Sequence, residues 1–286
     1  MTSSARIAYL NGDFLPIDQA RISPLDRGFI FGDGVYEVIP VYSGVPFRLE
    51  EHLRRLTDSL DAIHIRQPLS DGDWQQLIKR LIERNGGGDQ SLYLQITRGV
   101  AERDHAFPAA TAPTVFAMSK PLPTPQQSPV KAITLEDVRW QWCHIKATAL
   151  LANLLLRQQA IEAGCHEAIL IRNGWLTEGA ASNVFIVKAG KIKTPAKSQA
   201  ILPGITRDVI VEIGQRHGLD IEETNISQQE LLDADEIWIT SSTKELAPVV
   251  ELDGRAVGNG QPGPVCKQLQ SLFDDFKMQL RHGKAH

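Results

Sequence analysis

Apolar residues recur at helical spacing in two early stretches of the chain. From Arg48 the stripe Leu49, Leu53, Leu56, Leu60 and Ile63 predicts one amphipathic helix. Trp74, Leu77, Ile78, Leu81 and Ile82 predict a second, closed by the loop Gly86-Gly87-Gly88. Shorter runs read as strands. Residues 7–10 and 13–15 flank Asn11-Gly12, a pair suited to a tight hairpin turn because both positions need positive φ. Residues 92–97 and 114–118 give two further strands. Beyond residue 130 strand and helix patterns alternate. Residues 130–135 and 138–145 read as extended, and 147–163 read as a helix that stops at Gly164. Residues 168–171 and 175–177 form a hairpin candidate around Asn173-Gly174, and 184–187, 191–194 and 236–239 continue the strand pattern. Helices are expected from Thr206 to Gly218 and over 265–280. No internal repeat or low-complexity tract interrupts this order.

Between the two halves lies residues 120–130, with prolines at 121, 123, 125 and 129. Proline removes backbone donors and holds the chain extended, so this segment reads as a linker. It divides an N-terminal α/β domain, 1–119, from a larger C-terminal domain, 131–286. An ordinary proline-rich surface loop within one domain is the alternative.

Composition narrows the function classes. The 286 residues are 42% hydrophobic and 22% charged, the profile of a folded globular chain. A formal net charge of −4 gives no electrostatic reason to expect nucleic acid or anionic membrane as a partner. No apolar run is long enough for a membrane span, and the first residues lack the apolar core of a secretory signal. Cys143, Cys165 and Cys266 are scattered, supporting neither a disulfide framework nor a metal site. A reduced, cytoplasmic protein is the expectation.

Several familiar chemistries are missing. Gly32-Asp33-Gly34 begins a dinucleotide fingerprint that fails at Glu37, and there is no phosphate-binding P-loop, zinc-protease H-E-x-x-H or nucleophile elbow. Lys146 follows the bulky run Trp140-Gln141-Trp142-Cys143-His144-Ile145 and precedes an apolar helix. Desolvation there would favour the neutral amine that Schiff-base chemistry needs. Read alone, it fits a solvated lysine near a helix start better. Glu178, in Thr177-Glu178-Gly179, could keep a pyridine nitrogen protonated, or could be a plain turn glutamate. Pro203-Gly204-Ile205-Thr206-Arg207 and Thr240-Ser241-Ser242-Thr243 could supply amides and hydroxyls to a phosphate. Ser242 and Glu245 also fit a helix capping box. Arg55, beside Arg54, could pair with a phosphate. Arg103 and His105 sit in a polar loop and could together bind a carboxylate, or could equally belong to a plain exposed basic loop.

Taken in order, these segments resemble the fold type IV (class IV) pyridoxal-phosphate aminotransferases, and among them the D-amino acid aminotransferases. The resemblance runs from Asp26-Arg27-Gly28-Phe29-Ile30-Phe31-Gly32-Asp33-Gly34-Val35-Tyr36-Glu37 through Glu51-His52-Leu53-Arg54-Arg55-Leu56, His144-Ile145-Lys146 and Thr177-Glu178-Gly179 to Asn183-Val184-Phe185. Gly204-Ile205-Thr206-Arg207 and Thr240-Ser241-Ser242-Thr243 complete it. It implies a two-domain α/β (α+β) fold whose C-terminal domain has a mixed, barrel-like sheet, with pyridoxal 5'-phosphate as cofactor and no metal. Lys146 would hold the cofactor and shuttle the Cα proton, and Glu178 would pair with the pyridine nitrogen. Arg55, Ile205, Thr206, Ser241 and Ser242 would hold the phosphate, and Leu202 would pack on the ring. Tyr36, Arg103 and His105 would trap the substrate carboxylate, the Arg103/His105 loop arriving from the second subunit of a homodimer. Val38 would line the side-chain pocket. Ala180 and Ala181 depart from serines that some of these enzymes carry. The implied reaction moves an amino group between a D-amino acid such as D-alanine and a 2-oxo acid such as 2-oxoglutarate. Branched-chain L-amino acid aminotransferases and aminodeoxychorismate lyases share the fold, and a non-catalytic binding protein is the remote alternative.

Overall fold

A computed structural model describes residues 6–122 and 128–282. Its first half is built on a six-stranded sheet. Strands β1 (Ile7–Leu10) and β2 (Asp13–Pro16) form the expected hairpin, with Asn11 and Gly12 both at positive φ. A short helix α1 (Arg27–Phe31) leads into β3 (Gly34–Tyr42) and β4 (Val45–Pro46). Helices α2 (Leu49–Ala62) and α3 (Asp71–Arg84) follow the two apolar stripes, and β5 (Gln90–Thr97) and β6 (Thr114–Pro121) complete the sheet. The order is β2-β1-β6-β5-β3-β4, every pair antiparallel.

Alternation decides what β3 presents. Val35, Ile39 and Val41 join Leu92, Leu94 and Ile96 of β5 in the core beneath Leu53, Leu56, Leu60 and Trp74 of the helices. Glu37 shares that inward register, opposite Leu94, so a carboxylate is buried under α2. Tyr36 points to the other face.

The second half carries a nine-stranded mixed sheet. In chain order its elements are β7 (Val130–Glu136), α4 (Leu151–Glu162), β8 (Glu167–Arg172), β9 (Trp175–Gly179), β10 (Asn183–Lys188) and β11 (Lys191–Thr194). Then come α5 (Ile205–Arg216), β12 (Ile221–Glu223), α6 (Gln228–Leu232), β13 (Glu236–Ser241), β14 (Glu245–Leu252), β15 (Arg255–Ala256) and α7 (Pro264–Arg281). The order is β12-β11-β10-β13-β14-β7-β8-β9, with β15 on β14. Four strands separate β10 from β9, which in a flat sheet is about 24 Å. Yet only residues 180–182 join them, a reach of at most about 14 Å. The sheet therefore curls into an open barrel. Its strands are buried on both faces: Val184, Ile186, Ile237 and Ile239 pack into one cluster, while Phe185, Val187 and Trp238 pack against α5 and α7 in another.

Three expectations fail. Residues 138–145 form no strand: Arg139 folds back onto Asp137, and Trp140, Gln141 and Trp142 are all exposed, so burial does not alternate. The helix expected from residue 147 begins only at Leu151, because Ala147 pairs with Val35 of β3. Ser242 and Glu245 make no capping box, since residues 242–244 are the turn between β13 and β14. Within the proline-rich segment 120–130, β6 runs through Lys120 and Pro121, β7 starts at Val130, and residues 123–127 lie outside the described residues.

Candidate active site

Lys146 is held by its backbone. The segment around it lies along the free edge of β3: Tyr36 N–H donates to the Lys146 carbonyl (3.0 Å), and Thr148 N–H donates to Gly34 O (2.9 Å). The Lys146 amide donates to Ser59 Oγ of α2 at 3.2 Å. With Ile145 and Ala147 buried on either side, Lys146 is left half-buried, its Nζ 4.1 Å from the centre of the Tyr36 ring. Tyr36 is itself stacked on Tyr93. Both Lys146 and Tyr36 open into a cavity of about 410 Å³ that also receives Glu178, Leu202, the start of α5 and the β13–β14 turn.

Glu178 is the penultimate residue of β9 and is buried. Its carboxylate accepts from Leu202 N–H and Asn183 Nδ2, each at 3.1 Å, and pairs with Arg139 Nη1. Arg139 is shared: its Nε and Nη2 donate to Asp137 at 2.9 Å each. Asp137 in turn accepts from Thr177 Oγ1 (2.8 Å) and pairs with Arg172 (2.9 Å). Burial pushes the Glu178 carboxyl up to about 7, against the pull of Arg139. Such a group exchanges a proton readily with a weakly basic ring nitrogen.

The opposite wall is a cradle for an anion. Gly204 is the N-cap of α5, and no side chain caps that helix. Ile205 and Thr206 of its first turn face the cavity, as do Ser241 and Ser242. Thr240 is 1% exposed, and its Oγ1 is buried without a partner on the same wall. A Cβ on Gly204 would sit 2.0 Å from Asn183 Oδ1, so glycine is what lets Asn183 bridge Glu178 and the Leu202 carbonyl (2.9 Å) beside the helix start.

Arg55 lines this wall from α2, yet its guanidinium is largely engaged. Nε and Nη2 donate to Glu37 at 2.8 Å each, and Nη1 donates to Pro203 O at 2.8 Å. His52 Nδ1 also meets Glu37 at 2.8 Å. Burial alone would push the Glu37 carboxyl up, but Arg55 and His52 hold it well below the usual carboxylate range. Desolvation likewise keeps buried His52 below its ordinary value.

Most of the residues expected at the site converge on one cavity: Tyr36, Arg55, Lys146, Glu178, Leu202, Ile205, Thr206, Ser241 and Ser242. Arg103 and His105 do not. They stand on an exposed loop around Phe31, with the Arg103 guanidinium 5.3 Å and the His105 ring 5.6 Å from that ring's centre. Val38 does not line the cavity, whereas Ala180 and Ala181 do. Asp137 and Arg139 belong to the site without having been expected there, and Thr240, expected only as part of its hydroxyl run, is the member left without a partner. Asp137, between two expected strands, and Arg139, at the start of the second, read as solvated charge, and nothing local to Thr240 distinguishes it from its hydroxyl neighbours. Among the described residues no cluster of three or more His, Cys, Asp or Glu is placed to hold a metal ion, and no helix is long and apolar enough to cross a membrane.

Known proteins match this architecture along its length. The family model described as Amino-transferase class IV matches residues 34–252. The D-alanine aminotransferase of Bacillus licheniformis is 43% identical over 268 residues, covering 93% of this chain and 95% of that protein. The D-alanine aminotransferase of Staphylococcus aureus (strain COL) is 37% identical over 272 residues, covering 94% and 96%. Among solved structures, a branched-chain amino acid aminotransferase from Escherichia coli superposes with a TM-score of 0.89 at 28% identity, over 99% of this chain and 96% of that one. A fold IV-transaminase from Curtobacterium pusillum gives a TM-score of 0.80 at 25% identity, over 92% of each chain.

Proposed function

The chain belongs to the class IV aminotransferase family, and from that premise we propose that it is a pyridoxal-phosphate-dependent D-amino acid transaminase, exchanging the amino group of D-alanine-like donors with 2-oxo acids such as 2-oxoglutarate. One observation carries the cofactor assignment. A single cavity joins an amine (Lys146), a buried carboxyl near neutrality (Glu178) and an anion cradle in which the Thr240 hydroxyl has no protein partner. Those three features match the aldehyde, ring nitrogen and phosphate of pyridoxal phosphate, so the residues fit the group.

Lys146 would hold the cofactor through its amine, Glu178 would meet the ring nitrogen and Leu202 would lie against the ring. Ile205, Thr206, Ser241 and Ser242, with Arg55 behind them, would hold the phosphate. Bound there, pyridoxal phosphate supplies a ring that stores the electron pair left when the substrate's Cα–H bond breaks. The chain's part is to move and hold protons. Lys146 Nζ, tethered at its backbone by β3, would take the Cα proton from the amino donor in one half-reaction and give a proton to Cα of the amino acid formed in the other. Glu178, anchored by Arg139, Asn183 and the Leu202 amide, keeps a proton available at the ring nitrogen. Buried walls from Ile145, Ala147 and Ala180 exclude water from that transfer.

The substrate carboxylate is assigned to Tyr36 together with Arg103 and His105 of a second subunit. A homodimer in the cytoplasm is part of this reading. Exposed apolar residues near the cavity are in keeping with it: Leu151 and Leu154 of α4, Trp140 and Trp142. The D-alanine relatives are more similar in sequence than the branched-chain structure, which favours D substrates. Purified enzyme given pyridoxal phosphate is expected to convert D-alanine and 2-oxoglutarate to pyruvate and D-glutamate. Turnover of L-leucine with none of D-alanine would overturn the assignment.

A further inference from the structure

Beside the cofactor residues the cavity holds a charge cluster that the roles above leave unused. Glu167 of β8 is fully buried and sits behind Ser182, whose hydroxyl donates to it at 3.0 Å. Two cations from different elements approach the same carboxylate oxygen. Arg157 of α4 brings Nη1 to 3.3 Å, and Lys244 of the β13–β14 turn brings Nζ to 3.4 Å. Both contacts are long for charge-assisted bonds, which favour roughly 2.7–2.9 Å. Arg157 Nη1 is buried with no hydrogen-bond partner, and both side chains line the cavity. Two positive charges thus share one negative charge, and a part-buried cation without full compensation favours an incoming anion. Burial, aided by Arg157, lowers the pKa of the Lys244 ammonium against the pull of Glu167.

The cradle formed by Ile205, Thr206, Ser241 and Ser242 already accounts for a phosphate, and Tyr36 with the partner loop accounts for an α-carboxylate. A third anionic group is left over. We propose that Arg157 and Lys244 form a subsite for the distal carboxylate of a dicarboxylic substrate, a 2-oxo diacid such as 2-oxoglutarate in one half-reaction and the matching D-amino diacid in the other. This deepens the transaminase reading and rests on it for the identity of the substrate. Ala180 and Ala181, between β9 and β10, leave the adjoining wall small, and the neighbouring Ser182 hydroxyl is already given to Glu167, so these two cations would be the main polar contacts there.

The test uses the holoenzyme and its Lys244→Met and Arg157→Met variants. Each is expected to raise KM for 2-oxoglutarate about tenfold more than KM for pyruvate, the loss of one charge-assisted contact. Calorimetric titration should show the same loss of affinity for glutarate and none for pentanoate. Equal changes for diacid and monoacid, or no change, would overturn the subsite. A second variant separates binding from charge balance: Glu167→Gln combined with Lys244→Met. If Lys244 only neutralises Glu167, this pair restores the 2-oxoglutarate KM, and the proposal fails. If the subsite is real, stability recovers while that KM stays high. The glutarate titration needs no turnover, so an enzyme that binds glutarate through Lys244 but ignores every D-amino acid would refute the transaminase reading and leave the anion site standing.

Discussion

Glu37 and Glu178 are both buried glutamates on strands that border the same cavity, and their carboxyls are held in opposite states. The difference lies in how many acids each arginine serves. Arg55 gives two parallel hydrogen bonds to Glu37 alone, and His52 adds a third. Arg139 divides itself between Glu178 and Asp137, and the Asp137 charge itself works against ionising Glu178. A dedicated bidentate arginine outweighs desolvation, whereas a shared one does not. The first arrangement suits a fixed scaffold behind a phosphate. The second suits a group that trades a proton.

The largest effect that would test this contrast is on turnover. Glu178→Gln is expected to lower kcat about 10²–10⁴-fold with cofactor bound, since the ring nitrogen loses its proton partner. An unchanged kcat would place the ring nitrogen's partner elsewhere. Glu37→Gln should act on folding instead. It leaves buried Arg55 with its charge unanswered and should cost about 3–5 kcal/mol in chemical denaturation. If Glu178→Gln destabilised the apoprotein as much, the two sites would not differ in kind.

The pH dependence of stability should carry opposite signs at the two ends. Glu178 rises from 4.5 to about 7 on folding, so the native state binds the extra proton. Its contribution is fully present below about pH 4.5 and is lost as pH rises through 7, up to about 3 kcal/mol. The Glu37 contribution is present above its unfolded value of 4.5 and is lost as pH falls towards its depressed folded value. Denaturation of apoprotein at pH 5 and 7.5, with and without Glu178→Gln, checks the first. The variant should remove most of the decline. The smallest effect belongs to the cradle. Thr240→Val removes an unpartnered buried hydroxyl, so the apoprotein should gain about 1 kcal/mol while cofactor affinity falls about tenfold. A loss on both counts would mean that Thr240 has a structural partner.

Much of this site can be read from the sequence because its parts sit at punctuated positions. Gly204 before α5, the hydroxyl run at the β13–β14 turn and the Lys146 and Glu178 contexts each mark a junction where the chain exposes polar groups. The two hairpins at Asn11-Gly12 and Asn173-Gly174 were legible for the same reason, positive φ at the turn. The strands β3 and β14 were not, and both contain an interior proline, Pro40 and Pro248, which argues against a strand in any local reading. Glu37 also breaks the apolar alternation of β3, and its meaning depends on His52 and Arg55 from α2. The expected strand at 138–145 failed because Asp137, Glu178 and the Ala200 carbonyl hold Arg139 in a bend, through contacts that local apolar spacing does not encode. Arg103 and His105 matched by motif, but their place in a carboxylate trap depends on a second subunit, beyond the reach of a single chain's geometry.

The seam between Lys146 and β3 has a consequence for how activity is lost. The lysine belongs by sequence to the C-terminal half, but Tyr36 and Gly34 of the first sheet fix its backbone. Local opening of that sheet would leave Glu178 and the cradle intact while releasing the amine that the chemistry needs. Inactivation on heating should therefore precede loss of the curled sheet, and hydrogen exchange at the Tyr36 and Thr148 amides should track the fraction of working enzyme.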